Sequence, residues 1–159
     1  MQHNRFLILS QVRQTNLASR VLGLAAAAPF CGVPVLRVDQ PMADLAVQTG
    51  RRVGVIATLP TTLNPTADLV NRRAAVAGRR IELTSQLCEG AFEALMSGDA
   101  AKHDMMVAVA LKELSQQVDV IVLAQASMAR VVDTLAPADR RVPILASPAL
   151  AIEYLGSVL

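Results

Sequence analysis

From Val33 onward, short β-branched runs alternate with longer stretches rich in Ala and Leu. Near-continuous apolar runs of this length mark strands buried on both faces, whereas the longer stretches carry the apolar stripe of a helix. The alternation predicts βα units around a parallel sheet flanked by helices, an α/β fold. Strands are expected at Val35–Val38, Val53–Thr58, Ile81–Thr84, Val120–Leu123 and Ile144–Ala146. Helices are expected at Met42–Thr49, Thr62–Ala77, Glu89–Met96, Ala100–Gln117, Ser127–Leu135 and Ala149–Val158. Before Val33 the pattern is weaker: Phe6–Ser10 reads as a strand and Thr15–Ala28 as a helix, neither with clear caps.

Gly50, Gly78 and Gly98 stand where helices should stop, and Asp99 stands where it can cap the next one. A short internal echo is also present. Gly32-Val33-Pro34-Val35-Leu36 leads to Pro41 and a helix ending at Gly50; Val142-Pro143-Ile144-Leu145 leads to Pro148 and a helix ending at Gly156. Two Val-Pro strands followed by Pro-started helices are compatible with a pseudo-twofold duplication and equally with coincidence.

Composition sharpens this picture. The 159 residues suit one domain, and 53% hydrophobic against 3% aromatic residues means a core of Ala, Val, Leu and Ile. The net charge of +2 arises from scattered charges with no aromatic residues interleaved, which argues against a nucleic-acid partner. The longest uncharged stretch, Val21 to Leu36, contains two glycines and two prolines and falls short of the ~20 apolar residues of a spanning helix, so no membrane segment is expected. A signal-peptide reading of Val21 to Phe30 is opposed by the long polar stretch before it. Cys31 and Cys88 lie far apart and outside metal-ligand spacing, which suits buried thiols in a reducing, cytoplasmic setting.

The two ends of the predicted sheet differ in chemistry. Arginine doublets precede three strands, Arg51-Arg52, Arg79-Arg80 and Arg140-Arg141. Preceding helices end at that edge, so these cations complement helix C-termini. The opposite edge carries short polar residues: Asp39-Gln40, Thr58, Thr84-Ser85, Gln125 with Ser127, and Ser147. Ligand crevices of open parallel sheets lie at this carboxyl edge. Ordinary N-capping accounts for each hydroxyl singly; together with Thr61 and Thr62 at a helix start they would hold a carboxylate or phosphate. No glycine-rich phosphate loop follows any strand, so dinucleotide and nucleoside triphosphate binding are not expected. His103 has no second ligand at helical spacing and reads as a helix surface residue; no metal site is expected.

Two strand ends carry a resemblance. Arg52-Val53-Gly54-Val55-Ile56-Ala57-Thr58, followed by Thr61, resembles a "VGVIGTxxT" turn of the aspartate/glutamate/hydantoin racemase superfamily. Asp119-Val120-Ile121-Val122-Leu123-Ala124-Gln125-Ala126-Ser127-Met128 resembles that family's second catalytic segment, a buried strand ending in a "GCxxM"-like turn. Leu87-Cys88-Glu89-Gly90-Ala91-Phe92, Gly98-Asp99 and Val33-Pro34-Val35-Leu36 fit its intervening helices and crossing strand, so the resemblance spans Gly32 to Leu159. It implies two pseudo-symmetric α/β halves with one cysteine from each flanking the substrate α-carbon. One thiolate removes a proton and the other thiol returns one, without metal or pyridoxal, so no cofactor is expected.

The chain departs from that plan. Gln125 stands at the second-cysteine position, and its amide cannot act as a general acid or base at neutral pH. The first-cysteine segment aligns with Ala18-Ser19-Arg20-Val21-Leu22-Gly23, which has no cysteine; Cys31 lies beyond that turn, and Cys88 is expected at a helix start away from the site. Met1 to Arg20 does not resemble the family's N-terminal layer, which implies a truncated or altered N-terminus. On this reading residues 1–50 are a remnant of the first half, 51–147 the complete second half, and 148–159 a C-terminal helix packing back on the first.

The resemblance implies a cofactor-independent isomerase of amino acids or related 2-substituted carboxylic acids, impaired in this chain. The alternative is a non-catalytic carboxylate-binding or assembly module. The expected ligand is a small carboxylate, held by Thr58, Thr61, Gln125, Ala126 and Ser127. Apolar surface left uncovered by the incomplete half predicts homo-oligomers.

Overall fold

The structure is a computed structural model and describes residues 7–9 and 35–158. A short parallel pair joins β1 (Leu7–Leu9) to β2 (Val35–Arg37). The main sheet is parallel with strand order β4-β3-β5-β6, from β3 (Arg52–Ala57), β4 (Glu82–Leu87), β5 (Val120–Leu123) and β6 (Ile144–Leu145). The helices are α1 (Gln40–Thr49), α2 (Pro60–Val76), α3 (Ala91–Met96), α4 (Ala100–Leu114), α5 (Ala129–Thr134) and α6 (Ser147–Val158). The helix expected over Thr15–Ala28 lies outside the described residues, while the strand expected at Phe6–Ser10 coincides with β1.

Strand alternation sends each face of the sheet into its own core. Val53, Val55 and Ala57 of β3 and Val120, Val122 and Ala124 pack against Met42, Ala46 and Val47 of α1 and Leu63, Leu69 and Val70 of α2. Ile56, Ile121 and Leu123 face the other way, onto Ala91, Val107, Leu111, Leu114 and Val131. Gly54 lets α4 approach: a methyl group there would lie 2.9 Å from Leu114 Cδ2. Two helix ends are closed by left-handed glycines. The N–H groups of Gly78 and Arg79 bond to the carbonyls of Ala75 and Ala74, and those of Gly98 and Asp99 to Leu95 and Ala94. Gly50 also follows a helix but is extended, and its lack of a side chain makes room for Asp119.

The expected Asp99 cap is present, its carboxylate accepting from the Lys102 N–H at 3.0 Å. At the amino edge of the sheet, Arg79 donates to the Gln48 carbonyl in the last turn of α1, and Arg140 to the carbonyls of Asp133 and Leu135 at the end of α5. Arg51 and Arg52 pair instead with Glu82 and Asp119. The echoed segments form matching units, β2 leading to Pro-started α1 and β6 to α6 with Pro148 in its first turn, and α1 packs against α6. Among the described residues, no helix is long and apolar enough to cross a membrane.

Candidate functional site

Strand order reverses at β3: the chain leaves β3 for β4 on one side and returns through α3 and α4 to place β5 on the other. A crevice opens where such a reversal occurs, at the carboxyl ends of the two strands. Here those ends are Thr58 and Gln125, brought opposite one another by the pairing of Ile56 with Leu123. The Thr58 N–H and Oγ1–H both donate to Gln125 Oε1, at 2.7 and 2.8 Å, and both residues are buried. Because a backbone N–H can only donate, this geometry fixes the amide orientation: the oxygen faces Thr58 and Nε2 faces away.

The remaining predicted site residues lie further out. Thr61 is exposed in the first turn of α2, and Ala126 and Ser127 are exposed in a 3-10 turn, Ala126–Met128, after β5. Side-chain capping does not explain these hydroxyls: α2 begins at Leu59 with no side-chain cap, and Thr62 Oγ1 bonds to the Leu59 carbonyl. In the first turn Pro60 has no N–H and the Thr62 and Leu63 N–H groups donate to the Leu59 carbonyl, so what this end offers a ligand is its positive dipole and the exposed Thr61. Ser147 is buried where β6 runs into α6. Asp39 is held by Arg37 in a two-point contact and does not cap α1.

The structure corrects three expectations. Thr84 and Ser85 do not lie at the carboxyl edge, because β4 continues to Leu87. Cys88 consequently follows directly on that strand, and its N–H bonds to the Ala57 carbonyl at 2.8 Å, so it stands beside Thr58 rather than at a helix start away from the site. Alternation carries its side chain to the Ile56 face. His103 is buried, not on the helix surface, because the inward face of α4 runs His103, Val107, Ala110, Leu111 and Leu114. The periodicity of that run was the signal for it.

The two groups do not form a thiolate–imidazole pair. Burial pushes the Cys88 thiol up to about 11, so it is neutral near pH 7. His103 Nδ1 contacts Asp104 at 2.7 Å, and Asp104 also takes a bond from Arg130; His103 Nε2 has no partner, hence no bond to the thiol. Among the described residues no three His, Cys, Asp or Glu side chains come together as a metal site. Chemically, the edge offers hydrogen-bond donors to an oxygen ligand.

Comparison with known proteins decides the ancestry. The Asp/Glu/hydantoin racemase family model matches residues 18–155. The chain belongs to the Asp/Glu/hydantoin racemase family. No curated protein sequence matches it. Among solved structures it is similar to glutamate racemase isoform RacE1 from Bacillus anthracis, at 22% identity and TM-score 0.62, covering 86% of this chain and 52% of that protein. Allantoin racemase from Klebsiella pneumoniae gives 22% identity, TM-score 0.62, 86% of this chain and 54% of that one. An aspartate racemase homologue from Pyrococcus horikoshii gives 14%, 0.63, 88% and 62%. These likenesses establish the racemase fold, and the chain spans a little over half the length of those proteins.

Proposed function

We propose that this racemase-family chain binds the carboxylate of a small amino acid or related 2-substituted acid at the β3–β5 edge and does not racemise it efficiently. The observation that carries this reading is the Thr58–Gln125 pair: at the turn where the family resemblance calls for a cysteine, a carboxamide is committed to two hydrogen bonds. Gln125 Nε2 and the exposed Thr61 and Ser127 supply donors for the ligand, and the positive end of the α2 dipole favours its charge. The neutral, buried Cys88 supplies no thiolate.

The test is α-proton exchange in D2O, followed by NMR for glutamate, aspartate and allantoin, with the chain as it stands and with Gln125→Cys. We expect no exchange by the unaltered chain while Thr61 and Ser127 amide resonances shift on adding the amino acids. Exchange at an enzymatic rate would show that a working base exists and sink the reading.

We further propose the division already drawn, with residues 1–50 belonging to a first half, 51–147 forming the second, and 148–159 packing back through α6. Exposed Ile152 and Tyr154 on that helix favour self-association, so light scattering should give a mass above the 16.9 kDa of one chain. A free, buried Cys88 suits the cytoplasm, which cell fractionation would check.

A further inference from the structure

The switch-point crevice is filled from within. Two donors of one residue, the Thr58 N–H and Oγ1–H, converge on a single sp² oxygen, Gln125 Oε1, at 2.7 and 2.8 Å. This is how a turn receives a carboxyl oxygen, and α2 begins at Pro60, two residues beyond Thr58. Among the described residues the occupant is held by its oxygen. Its Nε2 takes no acceptor among the described residues and is not among the sealed, unpartnered polar atoms, although the side chain as a whole is only 9% exposed. Beyond Cβ, the Gln125 side chain consists of a methylene, an sp² carbon, an oxygen and a nitrogen, the heavy-atom skeleton of acetamide and of acetate.

We propose that Gln125 is a built-in occupant of a carboxylate cradle formed by Thr58, and that the cradle accepts a small monocarboxylate when this side chain is removed. The proposal rests on the reading of this edge as a carboxylate site, and it adds that in the unaltered chain the ligand is kept outside the cradle. A carboxylate oxygen accepts from the same two donors and, being charged, accepts more strongly than the amide it replaces.

The experiment titrates acetate and acetamide against the full chain and its Gln125→Ala form, reading the Thr58, Thr61 and Ser127 amide resonances by NMR. Titrations run into the millimolar range expected of ligands with so few heavy atoms. In Gln125→Ala, acetate should shift Thr58 saturably, at least about tenfold more tightly than in the unaltered chain, with acetamide weaker than acetate. Acetate should also raise the melting temperature of the variant and leave that of the unaltered chain in place.

Equal Thr58 shifts in both chains, or none in a folded Gln125→Ala, would overturn the proposal. Thr61 and Ser127 shifts in the unaltered chain report separately on the edge site, so the two readings can fail independently. Should Gln125→Ala not fold, Gln125→Ser opens the same space. The unaltered chain alone gives a further reading: its Thr58 amide should exchange slowly with D2O and ignore acetate, and a Thr58 response there counts against the occupant.

Discussion

Gly54 is the residue on which the seating of α4 depends. A β-carbon at that position would lie 2.9 Å from Cδ2 and 3.0 Å from Cγ of Leu114, whose side chain is fully buried in a close-packed core. Gly54→Ala should therefore destabilise the fold by about 1–3 kcal/mol through overpacking, read as a lower denaturant midpoint at unchanged slope. An unchanged midpoint would mean that α4 shifts freely over the sheet. At this scale the sequence is an uneven guide. Gly54 sits in a recognisable turn motif, but nothing local says that Leu114, sixty residues on, will cover it. His103 misleads because its neighbours Lys102 and Asp104 are polar, while its own helical stripe is apolar. The direct bond between Thr58 and Gln125 joins residues 67 apart and follows only from the pairing of β3 with β5.

Among elements, the start of β3 is tied to β5 by one carboxylate. Asp119 accepts from the backbone N–H groups of Arg51 and Arg52 and from the Arg52 guanidinium. The Arg52 side-chain bond foremost, then the backbone N–H groups, hold the Asp119 carboxyl below the usual carboxylate range. Its folded pKa thus lies below its unfolded value of about 3.9. The contribution to stability is complete above that value and is lost as pH falls through the folded pKa. Asp119→Asn should be less stable than the parent chain at pH 7, and the gap should narrow as pH falls below 4; a gap constant across that range would exclude this linkage. β5 itself was plain in the sequence, since Val120–Leu123 is a continuous apolar run buried on both faces. β4 was not: Glu82, Thr84, Ser85 and Gln86 lie on a sheet edge, where polar side chains reach water and the apolar signal stops short of the strand's true end. The polar end of β4 hides from the sequence that Cys88 stands beside Thr58.

For the whole molecule, the α/β class was legible because burying strands on two faces demands the apolar runs and spaced glycines seen along the chain, whereas strand order depends on contacts no local pattern records. That order makes β3 and β5 the shared wall of two cores. Neither core can melt while the other keeps these strands in place, because losing one face exposes the backs of Val55 and Val122 to water. Val70→Ala on the α2 face and Ile121→Val on the α4 face should each lower one common unfolding transition, by about 2 and about 1 kcal/mol respectively. Their side chains lie in separate cores on opposite faces of the sheet, so the double variant should show the sum to within about 0.5 kcal/mol. Coincident transitions by circular dichroism and by amide resonances of α2 and α4 would follow from one cooperative unit. Separate midpoints for the two helices would mean that each face folds on its own, and that the contact between Thr58 and Gln125 depends on only one of them.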